Sequence, residues 1–134
     1  MTIQYGTTVN NNRLDSIETS IGVTPKLRFY TGAMPITPAT AVSGTLLGEL
    51  TLPSDFMAAA ASGVKAKTGT WSGTFSAAGT CGYFRIVDSG GTITHIQGTV
   101  TATGGGGDMT LDNAVAAVSQ AITINTFSLT AGNA

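Results

Sequence analysis

Gly82-Tyr-Phe-Arg-Ile-Val87, Asp88-Ser-Gly-Gly91 and Thr92-Ile-Thr-His-Ile-Gln-Gly-Thr-Val100 read in one pass as strand, turn, strand. Two runs rich in β-branched and aromatic residues flank a four-residue turn with two glycines. Glycine supplies the positive backbone angles that such a turn needs.

Working outward, the same texture repeats. Lys26–Thr31 is a strand closed by Gly32, and Thr45–Leu52 is a second, ended by Pro53. Residues 33–44, with Pro35, Pro38 and Gly44, form a loop. Val64-Lys-Ala-Lys-Thr68 alternates apolar and polar, which predicts a strand with one wet face. Thr70–Ser76 continues the series; Gly73 within it marks a bulge or a close approach. Thr103-Gly-Gly-Gly-Gly-Asp108 reads as a flexible loop, because no P-loop Lys-Ser/Thr follows it and Asp108 carries the wrong charge for a phosphate cradle. Met109–Leu111 is a short strand, Asp112-Asn113 a turn, and residues 114–119 are ambiguous. Gln120–Thr130 is a last long strand, whose apolar phase switches between Ile124 and Phe127 and so predicts a bulge or burial on both faces.

Two segments carry a different period. In residues 10–22, Leu14, Ile17 and Ile21 fall at i, i+3 and i+7 and make one narrow apolar stripe on a short helix. Asn11 or Asn12 can cap its first turn, Asp15 and Glu18 suit the positive end of its dipole, and Gly22 can stop it. A helix of about ten residues is marginal in water, so it docks either on its own domain or on a neighbour. Ser54–Gly63, with four consecutive alanines, predicts one or two helical turns. The sum is an all-β chain of about eight strands with a short N-terminal α-helix. Residues 1–22 form an arm and helix, and residues 23–134 a single antiparallel β-sandwich domain. A jelly roll is the first expectation; an immunoglobulin-like sandwich is the second, although it lacks the Cys…Trp…Cys signature.

Composition narrows the function classes. Only 10% of the 134 residues are charged, against roughly 25% in ordinary soluble domains. That fits a polar, uncharged β surface or a surface covered by partners, where charge is depleted. Net charge is −1 and the six basic residues are dispersed, so no phosphate-neutralising patch forms and no nucleic-acid partner is expected. No apolar run reaches the roughly 18 residues that span a bilayer, so no membrane partner is expected, and the N-terminus has no secretory pattern. One Cys makes no internal disulfide, and Cys81 between glycines reads as a small buried side chain. A reducing compartment follows.

The groups able to do chemistry are few. His95 on a strand has no nucleophile motif to serve. One His and one Cys do not make a zinc site, and Asp108 with Asp112 lacks calcium-loop spacing. Most of the acids (Asp15, Asp55, Asp88, Asp112) fall in turns and helix starts, which explains them locally. Trp71, Tyr83, Tyr30 and Phe84 suit a sandwich core better than a sugar-stacking platform. No catalytic residue, cofactor or metal is expected.

Six segments together resemble a known family: Asn12–Gly22, Pro25–Gly32, Pro53–Gly73, Gly82–Gly90, His95–Val100 and Asp108–Asn113. They are similar to small virion structural proteins of tailed bacteriophages, most of all head-decoration (cement) proteins, and the likeness covers nearly the whole chain. The resemblance implies a virion location after assembly in the host cytoplasm, with the major capsid protein and other copies of the chain, as dimer or trimer, for partners. It implies binding between capsomers, with a tail or baseplate accessory role or a displayed carbohydrate-binding module as alternatives. Contact with the shell or a neighbouring copy is expected from residues 1–22, through Tyr5, Leu14, Ile17 and Ile21.

Overall fold

The hairpin forms as its sequence predicts. In the computed structural model, which describes residues 3–131, the elements are α1 (Thr7–Ile21), β1 (Lys26–Thr31), β2 (Leu46–Thr51), β3 (Val64–Ala66), β4 (Ser72–Thr74), β5 (Gly79–Val87), β6 (Thr94–Ala102), β7 (Met109–Leu111), β8 (Val115–Ala116), β9 (Ala121–Thr123) and β10 (Ser128–Thr130). Strands β5 and β6 pair antiparallel from Tyr83↔Thr99 to Val87↔Thr94. The Gly91 N–H closes the turn on the Asp88 carbonyl at 2.9 Å. Asp88 Oδ1 accepts from the Thr92 and Ile93 amides at 2.7 and 2.9 Å. These bonds, that of Ile93 foremost, hold the Asp88 carboxyl below its ordinary 3.8.

Around this hairpin runs the main sheet, in the order β2-β1-β5-β6-β7, with β8 on the start of β5. It is mixed, not purely antiparallel, because β7 lies parallel to β6 with Val100 opposite Met109. Parallel neighbours ordinarily need a crossover of a dozen or more residues; here the glycine run achieves the reversal by itself. Gly104 and Gly106 take φ of +87° and +81°. Gly105 and Gly107 lie so close to Thr101 that a Cβ would come within 2.8 Å and 2.9 Å of it. The Gly107 amide donates to Thr101 Oγ1 at 3.0 Å, and Asp108 Oδ2 accepts from the Thr99 amide at 2.8 Å. The expected slack loop is therefore a pinned turn, with glycines placed for backbone angle and close approach.

Two ribbons complete the body. Strand β4 pairs with β9 and β3 with β10, both antiparallel, and the backbone bonds Ile124 N–H to Trp71 O and Lys67 N–H to Phe127 O join them. They are one long ribbon interrupted once: Thr68–Thr70 on one side face only Asn125 and Thr126 on the other. The expected last strand is thus broken at 124–127, and the extra residue lies on its partner. This irregularity lets Ile124 and Phe127 both turn inward. Ser54–Gly63 makes no helical turn; isolated bridges join Met57 to Lys67 and Ala61 to Val64. Phe56 and Met57 are buried, and that packing overrides the weak helix preference of the alanines.

One core lies between the sheet and the ribbons. Leu27, Phe29, Leu50, Phe84 and Ile86 of the sheet meet Phe56, Trp71, Phe75, Ile122, Ile124 and Phe127. Phe84 packs edge-on against Phe127 at 5.6 Å and Phe29 against Phe75 at 6.0 Å, an arrangement that suits the ring quadrupoles.

Helix α1 starts earlier than its sequence suggests, after Gly6, with no side-chain cap. Asn11 and Asn12 lie inside it rather than at its end. Gly22 does end it, at φ +85°, with its N–H on Glu18 O at 3.0 Å.

Candidate functional site

The stripe predicted for α1 exists, and it faces the chain's own body. Leu14 and Ile21 are buried and Ile17 packs against the core. Polar bonds add to that docking. Asn11 Oδ1 accepts from the Gly63 amide and Asp15 Oδ1 from the Ala60 amide, both at 2.9 Å. Most telling is Lys65. On β3 the expected alternation is inverted: Val64 and Ala66 face solvent and Lys65 is 2% exposed. Its Nζ reaches Asp15 Oδ1 at 2.7 Å, Glu18 Oε2 at 2.8 Å and the Ala58 carbonyl at 2.8 Å. Burial lowers the ammonium pKa, but the bonds to Asp15 and Glu18 outweigh it and leave Lys65 above its ordinary 10.5. The bond from Lys65, then that from Ala60, holds Asp15 below 3.8. The acids expected to serve the helix dipole instead neutralise a buried cation.

This arrangement sets two expectations. Breaking a buried ion pair costs most when the stranded charge is the buried one. Lys65→Met leaves Asp15 and Glu18 at 44% and 22% exposure, where water still reaches them, so it lowers Tm only slightly. Asp15→Asn with Glu18→Gln strands the ammonium and lowers Tm more. Thermal melts of the two variants check this, and the reverse ranking would refute it. For pH, Asp15 and Asp88 lie below 3.8 and Glu49, held by Arg28 and Lys26 against its burial, below 4.5. Lowered carboxyls give stability above their unfolded pKa values that is lost as pH falls through the folded ones. The raised Lys65 gives stability that is lost only as pH rises past its folded value, above 10.5. Tm is therefore expected to be level through neutrality, to fall below about pH 4 and to fall again above about pH 10.5.

The sheet face away from the core is covered by the loop of residues 33–44. Tyr83 donates from its hydroxyl to Ser43 O at 2.6 Å and stacks on Tyr30 at 5.1 Å. Gln97 Nε2 donates to Pro35 O at 2.7 Å and Arg85 Nη2 to Thr40 O at 2.7 Å. Strand β5 is thereby buried on both faces. The pinned loop and the strand after it turn Met34, Ile36, Val42 and Leu46 outward, Ile36 being 95% exposed. A cleft of about 560 Å³ runs between Thr37–Ala41 and Thr92–Thr94, with Arg85 in its wall. The sequence marks this stretch as a loop but names no contact residue in it. Its outward apolar residues were visible there, but their exposure depends on which face of the sheet the loop covers.

The remaining candidates divide clearly. Tyr5 is 45% exposed, beneath the Arg13 guanidinium at 4.9 Å, and its carbonyl accepts from Asn10 Nδ2. Leu14 and Ile21 are committed to the chain's own core side, so a partner cannot reach them without undocking the helix. Trp71, Tyr83, Tyr30 and Phe84 are all buried, which removes the sugar-stacking platform. Cys81 is buried, and burial pushes its thiol up to about 11, so it stays protonated and unreactive at neutral pH. His95 on β6 lies near Asp88, whose carboxylate it helps stabilise. Among the described residues no three His, Cys, Asp or Glu side chains gather into a metal site, and no helix is long and apolar enough to cross a membrane. Compared with known proteins, the chain matches no family model, no curated sequence and no solved structure.

Proposed function

We propose that this chain is a structural protein of a tailed-phage virion, a decoration or cement protein that stabilises the head by binding between capsomers. The observation that carries the reading is the loop of residues 33–44 with the start of β2: four large apolar side chains, Met34, Ile36, Val42 and Leu46, held outward by a hydrogen-bonded scaffold. Apolar groups fixed in water without a cover are what an interface offers. Low surface charge and the segments similar to decoration proteins support the same reading. The partners would be the major capsid protein and, in a dimer or trimer, other copies of the chain. The six-stranded sheet and the ribbons would be the layers of a β-sandwich of the jelly-roll kind. A protein that binds only the assembled shell stabilises it by mass action, so no turnover is required of it.

Because α1 is part of the folded body, deleting residues 1–22 would damage the fold rather than report on binding. The test is direct: mix the protein with purified heads, sediment them, and quantify the bound chain by mass spectrometry, with Ile36→Asp alongside. Saturable binding that drops at least tenfold in Ile36→Asp is expected. Heads that bind none of it, and native particles that contain none of it, would overturn the reading.

A further inference from the structure

Among the described residues Arg85 is a charge without a counter-charge. It is 4% exposed, on a strand covered on both faces. Buried cations are ordinarily paired, yet no carboxylate among the described residues lies within ion-pair distance of it. The acid on the same sheet face, Glu49, is already shared by Arg28 at 2.6 Å and Lys26 at 3.5 Å. Arg28 is the direct cross-strand neighbour of Arg85 on one side, and Gln97 on the other. So the row across β2, β1, β5 and β6 carries more positive than negative charge, and the surplus sits at Arg85.

A guanidinium has five N–H donors. Those of Nη2 go to the Thr40 carbonyl at 2.7 Å and, weakly, to Thr37 O at 3.5 Å. Nε is buried without an acceptor, and Oε1 of the cross-strand neighbour Gln97 is buried without a donor. Nη1 has no hydrogen bond among the described residues. The cleft beside the group, about 560 Å³, is far larger than the roughly 30 Å³ share of a single water. Its other walls are the threonines Thr37, Thr40, Thr92 and Thr94 and the apolar Pro38, Ala39 and Ile93.

We propose that this cleft is a carboxylate-binding site anchored by Arg85. One guanidinium without a carboxylate partner matches a single negative charge. Of the hydroxyls around it, those of Thr37 and Thr40 bond each other at 3.0 Å and that of Thr92 donates to Asp88 at 3.1 Å, so Arg85 carries the recognition. A phosphate dianion would need a second free cation, and Arg28 is occupied by Glu49 and by Gly91 O at 3.3 Å. The apolar wall favours a carboxylate with apolar neighbours, as on a Glu or Asp side chain of a partner protein. Such a charge-assisted bond, shielded from water, is stronger than a neutral one. The site stands independently of the virion proposal, since it rests only on Arg85 and its surroundings.

The test uses the intact protein and two probes, sodium acetate and the end-capped tripeptide Val-Glu-Val, with Val-Gln-Val and sodium chloride as controls. The ¹⁵N–¹H signal of Arg85 Nε, assigned by its loss in Arg85→Lys, is followed at constant ionic strength. Calorimetry of the wild-type chain with both peptides needs no variant and so holds even if Arg85→Lys fails to fold. We expect a saturable shift with acetate and at least tenfold tighter binding of the Glu peptide than of its Gln isostere. Acetate without the peptide would support a free carboxylate as the ligand. A shift that chloride reproduces in full, together with equal or no binding of the two peptides, would overturn the site.

Discussion

Trp71→Ala is expected to cost about 3–5 kcal/mol, the range for removing a fully buried large aromatic side chain. Trp71 has no solvent exposure. Its ring packs against Phe127 at 5.7 Å and Phe56 at 6.4 Å, and Lys67 Nζ stands over it at 5.7 Å. Its Nε1 donates to Thr68 O at 3.1 Å, and its carbonyl accepts the Ile124 amide at 3.0 Å. The residue therefore sits at the one irregularity of the long ribbon, where Thr68–Thr70 bulge out, and fills the space under it. Domains have about 5–15 kcal/mol in total, so the variant loses a large share of its stability. Trp71→Phe keeps an apolar ring and loses the Nε1 bond, so it costs less, about 1–2 kcal/mol. Urea unfolding of both variants is the measurement. A loss under about 1.5 kcal/mol for Trp71→Ala, well below the range for a buried tryptophan, would mean that the ring is not at the centre of the core.

Gly82→Ala is expected to cost about 3 kcal/mol, near the top of the usual range for overpacking. A Cβ at Gly82 would overlap the Gly32 carbonyl oxygen and stand 2.9 Å from its carbon. These are backbone atoms, fixed where β1 leaves the sheet at a register shift between Tyr30 and Thr31, so no rotamer change relieves the clash. Gly104→Ala is the contrast. It has open space around it but a φ of +87°, so it pays only the left-handed penalty, about 1–2 kcal/mol. Chemical denaturation of the pair separates the two mechanisms. Equal losses would show that the β1–β5 approach is looser than the register implies.

Where the sequence succeeded, it did so through short-range signals. The turn at Asp88–Gly91 holds because an Asp side chain reaches amides four and five residues ahead and Gly91 takes a positive φ; both causes lie within the turn itself. Gly22 ends its helix for the same kind of reason, and the phase switch between Ile124 and Phe127 marked the burial of both side chains, although the strand expected to run through them is interrupted and the bulge lies on its partner. The alanines of Ser54–Gly63 misled because helix preference is weak beside the burial of Phe56 and Met57. The glycine run misled because four consecutive glycines look the same whether the chain is slack or folded tightly over Thr101. Of the candidate surface, Tyr5 was legible as an exposed arm residue. The stripe of Leu14 and Ile21 was legible as apolar but not as already covered.

The sequence by itself determined that this is a β-built chain with one N-terminal helix, where its central hairpin turns, and that its chemistry-bearing groups are few, because each of these follows from composition or from neighbours within a few residues. Only the tertiary structure decided that Lys65 points inward, that β7 runs parallel to β6 and that Arg85 has no acid beside it among the described residues. The physical reason is range. An ammonium can be buried only if carboxylates meet it, and Asp15 lies 50 residues away along the chain. Whether a guanidinium finds an acid likewise depends on strands far apart in the chain: Glu49, on the same sheet face as Arg85, is held by Arg28 and Lys26.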